Sequence, residues 1–290
     1  MKEPPFLLQN VTVAIVGLGL MGGSLALALR SKNACKAILG ITRNPATRGQ
    51  AIASGILDKA DSDLHLVSEA DVIILATPVR AILERLPQVG AIAREGAIIM
   101  DLGSTKLEIT RAMEGLPAHV EPIGGHPMCG KETFGFHAAD ADLYRNAVFV
   151  LTPLARTSTS TLAFAGSLAG TLGARPVVLD PARHDKIVAA ISHLPFALAA
   201  TLMRTADELA RADDLLYVLA ASGFRDTSRL AAGDTTMMLD ILLTNHENVA
   251  AALRAYAHHL DKLAELIDRQ DETALRAILQ DAAMRRRKLL

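Results

Sequence analysis

The stretch "VTVAIVGLGLMGGSLALALR" (11–30) constrains this chain more than any other. Val11–Val16 is a short β-rich apolar run, Gly17-Leu18-Gly19-Leu20-Met21-Gly22 follows at once, and Ser24–Arg30 has the Ala/Leu pattern of a helix. A G-x-G-x-x-G set between a strand and a helix is the arrangement that holds a dinucleotide. The first glycine permits the tight turn, the second lets a pyrophosphate approach the backbone, and the third lets helix and strand pack closely. The phosphates then sit at the helix N-terminus, where free N–H groups and the helix dipole favour anions. Residues 11–29 carry no charge and are nearly long enough to cross a bilayer. Four glycines in the middle and a strand-like opening argue instead for a buried strand–turn–helix.

Further strand-like runs follow in "KAILGIT", "ADVIILATP" and "EGAIIMDLGS", with helical or loop segments between them. Such alternation predicts a parallel, doubly wound α/β sheet of Rossmann type. Ligands on these sheets gather at the carboxyl ends of strands. Thr77-Pro78 and Gly103-Ser104 lie just past strand ends and are expected to line the cleft. The second strand ends about twenty residues past the glycine motif, where an NAD site places an acidic residue on the ribose 2′-hydroxyl. Here the chain reads Thr42-Arg43. A carboxylate would repel a 2′-phosphate, whereas an arginine binds one through its planar fork. The expectation is therefore NADP as the preferred cofactor, with NAD possible. An exposed loop arginine with no ligand would look the same.

Composition narrows the class. With 290 residues, a net charge of -1 and 50% hydrophobic residues, the chain is globular in character and is not a general nucleic-acid binder. Cys35 and Cys129 stand alone, which suits a reducing cytoplasm and offers no metal spacing. "MKEPPFLLQN" has no apolar run of signal-peptide length. The closing "RRRKLL" reads as a solvated helix end. No membrane partner is expected.

The most unusual stretch is "IGGHPMCGKETFG" (123–135), whose glycines and proline predict a rigid turn outside any helix or strand interior. A histidine there is a natural general acid or base, because it titrates near neutrality. From Pro181 onward strand-like runs vanish. Residues 182–211 read as one long helix interrupted near Pro195, and 235–267 as another, broken near Asn245. These segments are too apolar to stand alone, and a second copy of the chain is the simplest cover. They could equally be ordinary monomer core.

The motifs "VGLGLMGGSLA", "LATPV", "DLGSTK", "GGHPMCG", "LYRNAVFVLTP", "HDKIVAAISHLP" and "ASGFRDTSRLA", taken in this order, resemble the prephenate/arogenate dehydrogenase family of tyrosine biosynthesis. The resemblance spans nearly the whole chain. It implies oxidative decarboxylation of a cyclohexadienol, with a nucleotide-binding domain over 1–180 and an all-α substrate and dimerisation domain over 181–290. His126 matches the catalytic histidine that accepts the hydroxyl proton, and Ser104 a serine beside the nicotinamide that orients it. Arg229 matches the arginine that holds the ring carboxylate. A surface salt bridge of Arg229 with Asp226 or Asp234 is the plainer alternative. Glu132, Asp185 and Asp226 match acidic positions of an ionic network near the site, and His193 and Gly223 fall in motifs near the substrate. The resemblance also implies a cytoplasmic homodimer. Many prephenate-using relatives read "SHLPH" where this chain reads "SHLPF". Phe196 removes a donor and possible cation, which leans toward arogenate. Cys129 stands where relatives often have alanine, either as a thiol sensitive to modification or as a small buried side chain. A regulatory extension is not expected, so any feedback by tyrosine would act at the active site.

Two other classes fit the pattern less well. A β-hydroxyacid dehydrogenase or imine reductase also joins a Rossmann domain to a helical dimer domain, but the former relies on a helical lysine. A nucleotide-sensing protein without catalysis would not need Ser104, His126 and Arg229 together.

Overall fold

The computed structural model describes residues 7–289; Met1–Phe6, at the start of the stretch read for a targeting segment, and Leu290 at the end lie outside them. The chain alternates through β1 (Thr12–Val16), α1 (Leu20–Ser31), β2 (Ala37–Ile41), α2 (Pro45–Ala53), β3 (Lys59–Asp61), β4 (Val72–Leu75), α3 (Val79–Ile92), β5 (Ile98–Asp101), α4 (Leu107–Glu114), β6 (Glu121–Pro127), β7 (Val148–Pro153), α5 (Thr159–Thr171) and β8 (Arg175–Val178). The strands form one sheet in the order β3-β2-β1-β4-β5-β6-β7-β8. Every pairing is parallel except β6 with β7. Strand order reverses between β1 and β4, which opens a crevice at their carboxyl ends. The central strands can be continuously apolar because helices cover both faces: β4 and β5 are buried at every position. One core cluster lies on each face of the sheet.

The expected turn over 123–135 is corrected in its first part, because Ile123–Pro127 belongs to β6 and His126 pairs with Val150 of β7, while 128–135 lies outside any helix or strand. Two glycines in a strand can mark close approach rather than a turn. A Cβ on Gly125 would lie 2.7 Å from the Asp101 carbonyl oxygen, and one on Gly124 would lie 2.1 Å from Thr152 Oγ1. The glycines thus let β6 press against its neighbours just before His126.

After β8 the chain is helical: α6 (Pro181–Val188), α7 (Leu194–Ala210), α8 (Ser222–Ser228), α9 (Thr235–Thr244), α10 (His246–Asp268) and α11 (Glu272–Arg287). Between α6 and α7 the helix passes through one π turn, Ala189–His193. The interruption expected near Pro195 therefore falls just upstream of it. Pro195 has no N–H to give, and its ring crowds the carbonyl four residues back, so a wider turn relieves both problems. Asn245, with φ -124 and ψ 29, separates α9 from α10 where a break was expected. Little of Pro181–Ala210 is buried within the protomer.

Candidate active site

The glycine motif makes the turn from β1 into α1. Gly17 has φ +102, and a Cβ there would lie 2.7 Å from the Ala76 carbonyl oxygen. A Cβ on Gly22 would lie 1.9 Å from the Gly17 carbonyl oxygen, whereas one on Gly19 would meet nothing within 4 Å. Two of the glycines are thus required by packing, and the third faces open space at the start of α1. That space is a cavity of about 510 Å³ lined by Gly17, Leu18, Gly19, Thr42, Arg43, Thr77 and Pro78, among others. Its lining includes Arg43 and Arg85 and no aspartate or glutamate. Thr77 Oγ1 is buried without a hydrogen-bond partner from the protein. Open backbone at a helix N-terminus, two cations and an unpartnered hydroxyl all fit a dinucleotide. Leu20, Met21 and Gly22 form the first turn of α1 behind this lining, and Gly103 and Ser104 also lie outside it.

Sequence reasoning missed the cavity's other wall. Phe136 and His137 line it from the segment after β6. Tyr144 Oη donates to the Met21 carbonyl at 2.7 Å, and the Asp140 N–H to Ser24 Oγ at 2.9 Å, so this segment is pinned onto α1. Cys129 in the same segment packs against the core, and burial raises its thiol pKa to about 11. A thiol that stays protonated is a poor nucleophile, which favours the packing role for Cys129.

A second constellation surrounds His126. His126 Nδ1 lies 2.8 Å from His184 Nε2, and His184 Nδ1 lies 2.7 Å from Asp185 Oδ1. Asp180 caps α6 by accepting from Arg183 N, with Pro181 at the first helical position, which places His184 and Asp185 within its opening turns. Burial holds His126 well below the usual histidine range, and His184, Lys106 and His193 oppose a further positive charge there. His184 was not anticipated as a site residue. The adjacent His-Asp in "HDKIVAAISHLP" was the available signal.

Beneath His126 lies a buried ion pair between Lys106 and Asp101. Lys106 Nζ also donates to the Gly125 carbonyl at 2.7 Å, while Asp101 accepts from Gly103 N at 2.7 Å and from Gly125 N at 3.2 Å. One pair therefore fixes both the turn that carries Ser104 and the strand that carries His126. Burial pushes the Asp101 pKa up and that of Lys106 down, and their mutual attraction opposes both shifts.

His193 closes the π turn and is buried. Asn245 Nδ2 lies 3.2 Å from His193 Nδ1 and donates to the Asp185 carbonyl at 2.7 Å, so the break between α9 and α10 supports both residues. Burial lowers the His193 pKa to about 4. Arg229, just past α8, pairs with Glu132 in the segment after β6, not with Asp226 or Asp234. Asp234 instead caps α9 through Met237 N. Gly223 and Asp226 lie exposed on α8, and Asp226 makes no ion pair among the described residues. Asp185 stands apart from Glu132, beneath the histidines. Phe196 packs near Gly233, which follows the turn carrying Arg229.

A doubly wound sheet with a cation-lined crevice, a half-buried histidine on the same sheet and a helical second half fit the class of nucleotide-dependent oxidoreductases. Residues 25–178 match the nucleotide-binding domain of prephenate dehydrogenase, and residues 180–281 match its dimerization domain. The chain is 36% identical over 272 residues to the prephenate dehydrogenase of Lactococcus lactis, covering 93% of this chain and 75% of that one. It superposes with a TM-score of 0.90 and 31% identity on prephenate dehydrogenase from A. aeolicus in complex with hydroxyphenyl propionate and NAD+, covering 96% of this chain and 98% of that one. For Synechocystis arogenate dehydrogenase the TM-score is 0.82 and the identity 34%, over 96% of this chain and all of that one (100%). The chain belongs to the prephenate dehydrogenase family. It is an oxidoreductase of prephenate/arogenate dehydrogenase type with a nicotinamide cofactor.

Proposed function

We propose that this enzyme oxidatively decarboxylates arogenate in preference to prephenate, and that it prefers NADP to NAD. The single observation that carries the cofactor choice is the wall of the crevice: Arg43 and Arg85 line it, and no carboxylate does. A 2′-phosphate meets cations there and no like charge. The substrate preference is supported by Phe196, an apolar ring beside the turn that carries Arg229. An apolar neighbour disfavours the doubly anionic ketoacid relative to the amino acid.

Each group has a task in this reading. The backbone at Gly19 and the start of α1 hold the pyrophosphate, while Thr42 and Arg43 take the adenosine end. When bound, the nicotinamide supplies the hydride acceptor. His126 accepts the hydroxyl proton of the substrate, Ser104 orients it, and Arg229 holds the ring carboxylate bidentately. His193, Gly223, Glu132 and Asp226 belong to the substrate side. Residues 1–180 form the nucleotide-binding part and 181–290 the helical part, through which two copies pair. Loss of carbon dioxide aromatises the ring, which drives the reaction forward.

Initial rates of reduced-cofactor formation test both choices, measured with NADP and NAD against arogenate and prephenate at equal concentrations. The reading expects the fastest rate with NADP and arogenate. A faster rate with NAD would remove the role of Arg43, and a faster rate with prephenate would remove that of Phe196.

A further inference from the structure

The relay behind His126 can be read proton by proton. Asp185 Oδ1 accepts from Lys106 N at 2.7 Å and Oδ2 from Leu107 N at 2.9 Å, where α4 begins. Backbone N–H groups can only donate, so both carboxylate oxygens are acceptors. The proton shared with His184 therefore sits on His184 Nδ1. A neutral His184 then carries its lone pair on Nε2, so the proton in the contact with His126 sits on His126 Nδ1. That leaves the lone pair of His126 on Nε2. This assignment follows with Asp185 ionised and His184 neutral before the reaction.

We propose that His184 is a positioning residue for His126: the His126–His184–Asp185 chain selects the tautomer with a free Nε2 and takes over the positive charge when that nitrogen is protonated. This rests on His126 being the base. As the substrate O–H bond breaks, a proton joins His126 Nε2, and the electron pair stays on oxygen as the carbonyl forms. The Nδ1 proton of His126 passes to His184 Nε2. His126 is then neutral with its proton on Nε2, and the charge lies on His184 against the Asp185 carboxylate.

The surroundings make such a transfer useful. The groups around His126 are Lys106 and Asp101 from β5 and the turn after it, His184 and Asp185 from α6, and His193 from the π turn. The Lys106 ammonium is already taken up by Asp101 and the Gly125 carbonyl, and His193 by Asn245. Asp185 is the carboxylate in contact with the histidine pair. His126 itself is disfavoured as a cation by burial, so charge moved one residue deeper meets its counter-ion.

The test measures kcat and kcat/KM against pH for wild type, His184→Leu, His184→Gln and His126→Asn, with dinucleotide affinity by calorimetry. His184→Leu is expected to lower kcat at least about a hundredfold, the scale of a mis-set tautomer or lost base, with unchanged dinucleotide affinity. Glutamine can accept from His126 and donate to Asp185 but cannot carry the proton. It should recover part of kcat, with the acid limb moved to lower pH, because the protonated pair has lost its second site. Nitrogen-15 spectra of the wild-type enzyme should show both histidines protonated on Nδ1, a readout that needs no variant. Wild-type rates in His184→Leu beside an inactive His126→Asn would overturn the relay alone, as would an unmoved acid limb in His184→Gln or a proton on His126 Nε2. An active His126→Asn would instead overturn the base assignment.

Discussion

Ile73, Ile74 and Leu75 of β4 are wholly buried, whereas Val218 and Leu219, between α7 and α8, are 74% and 76% exposed. The two halves of the molecule solve burial differently. The sheet half covers both faces of its strands with its own helices and completes two cores within one chain. The helical half leaves Leu209, Leu215, Leu243, Ile267 and Leu279 exposed as well. Its matched family domain is a dimerization domain. The histidine cluster lies where the halves meet, with His126 on β6 and His184, Asp185 and His193 on the helices. A site shared in this way depends on both kinds of burial.

Substitutions can separate the halves. The largest effect is expected from His126→Asn, which should lower kcat by about 10²–10⁴-fold, as loss of a general base does, with dinucleotide binding intact. Steady-state kinetics with calorimetry checks this, and near-normal turnover would remove the base from the sheet half. Lys106→Met leaves Asp101 buried without its cation, which should cost about 3–5 kcal/mol, read by denaturant unfolding. A loss confined to the helical half would show that the pair does not anchor the sheet.

Acid should act on the helical half through His193. Its folded pKa of about 4 lies below the ordinary 6.5, so the unfolded chain binds the proton more readily. The stability this group contributes stands in full above pH 6.5, is lost as pH falls from there, and levels off below about 4. The loss is on the order of 3 kcal/mol at the low end. Unfolding free energies of wild type and His193→Gln across that range should converge as pH falls, and parallel curves would contradict it. The smallest effect belongs to Arg43→Ala, which should weaken NADP binding about tenfold, the size of one charge-assisted hydrogen bond, without changing NAD binding or dimer dissociation. Equal losses for both cofactors would assign Arg43 to the shared part of the nucleotide.

Much of this was legible from residue order. The β-run, glycine turn and Ala/Leu helix at 11–30 are local patterns, and the structure turns them into β1 and an α1 that begins four residues early, at Leu20 within the glycine motif. The break at Asn245 was also local. The error at 123–127 was local too: glycines that read as a turn were serving contacts with Asp101 and Thr152, which no window around them contains. His184 was overlooked for the same reason, since its partner His126 lies 58 residues away.

By itself the sequence determined the alternation of strand and helix, the dinucleotide turn and the family, because periodicity, glycine geometry and motif order are written over short spans. Tertiary structure alone decided that Arg229 meets Glu132 across 97 residues, that Lys106 is buried against Asp101, and that His126 stands on His184 and Asp185. Such contacts come from how elements pack. Packing depends on the whole fold, so it leaves no signature in the residues beside either partner.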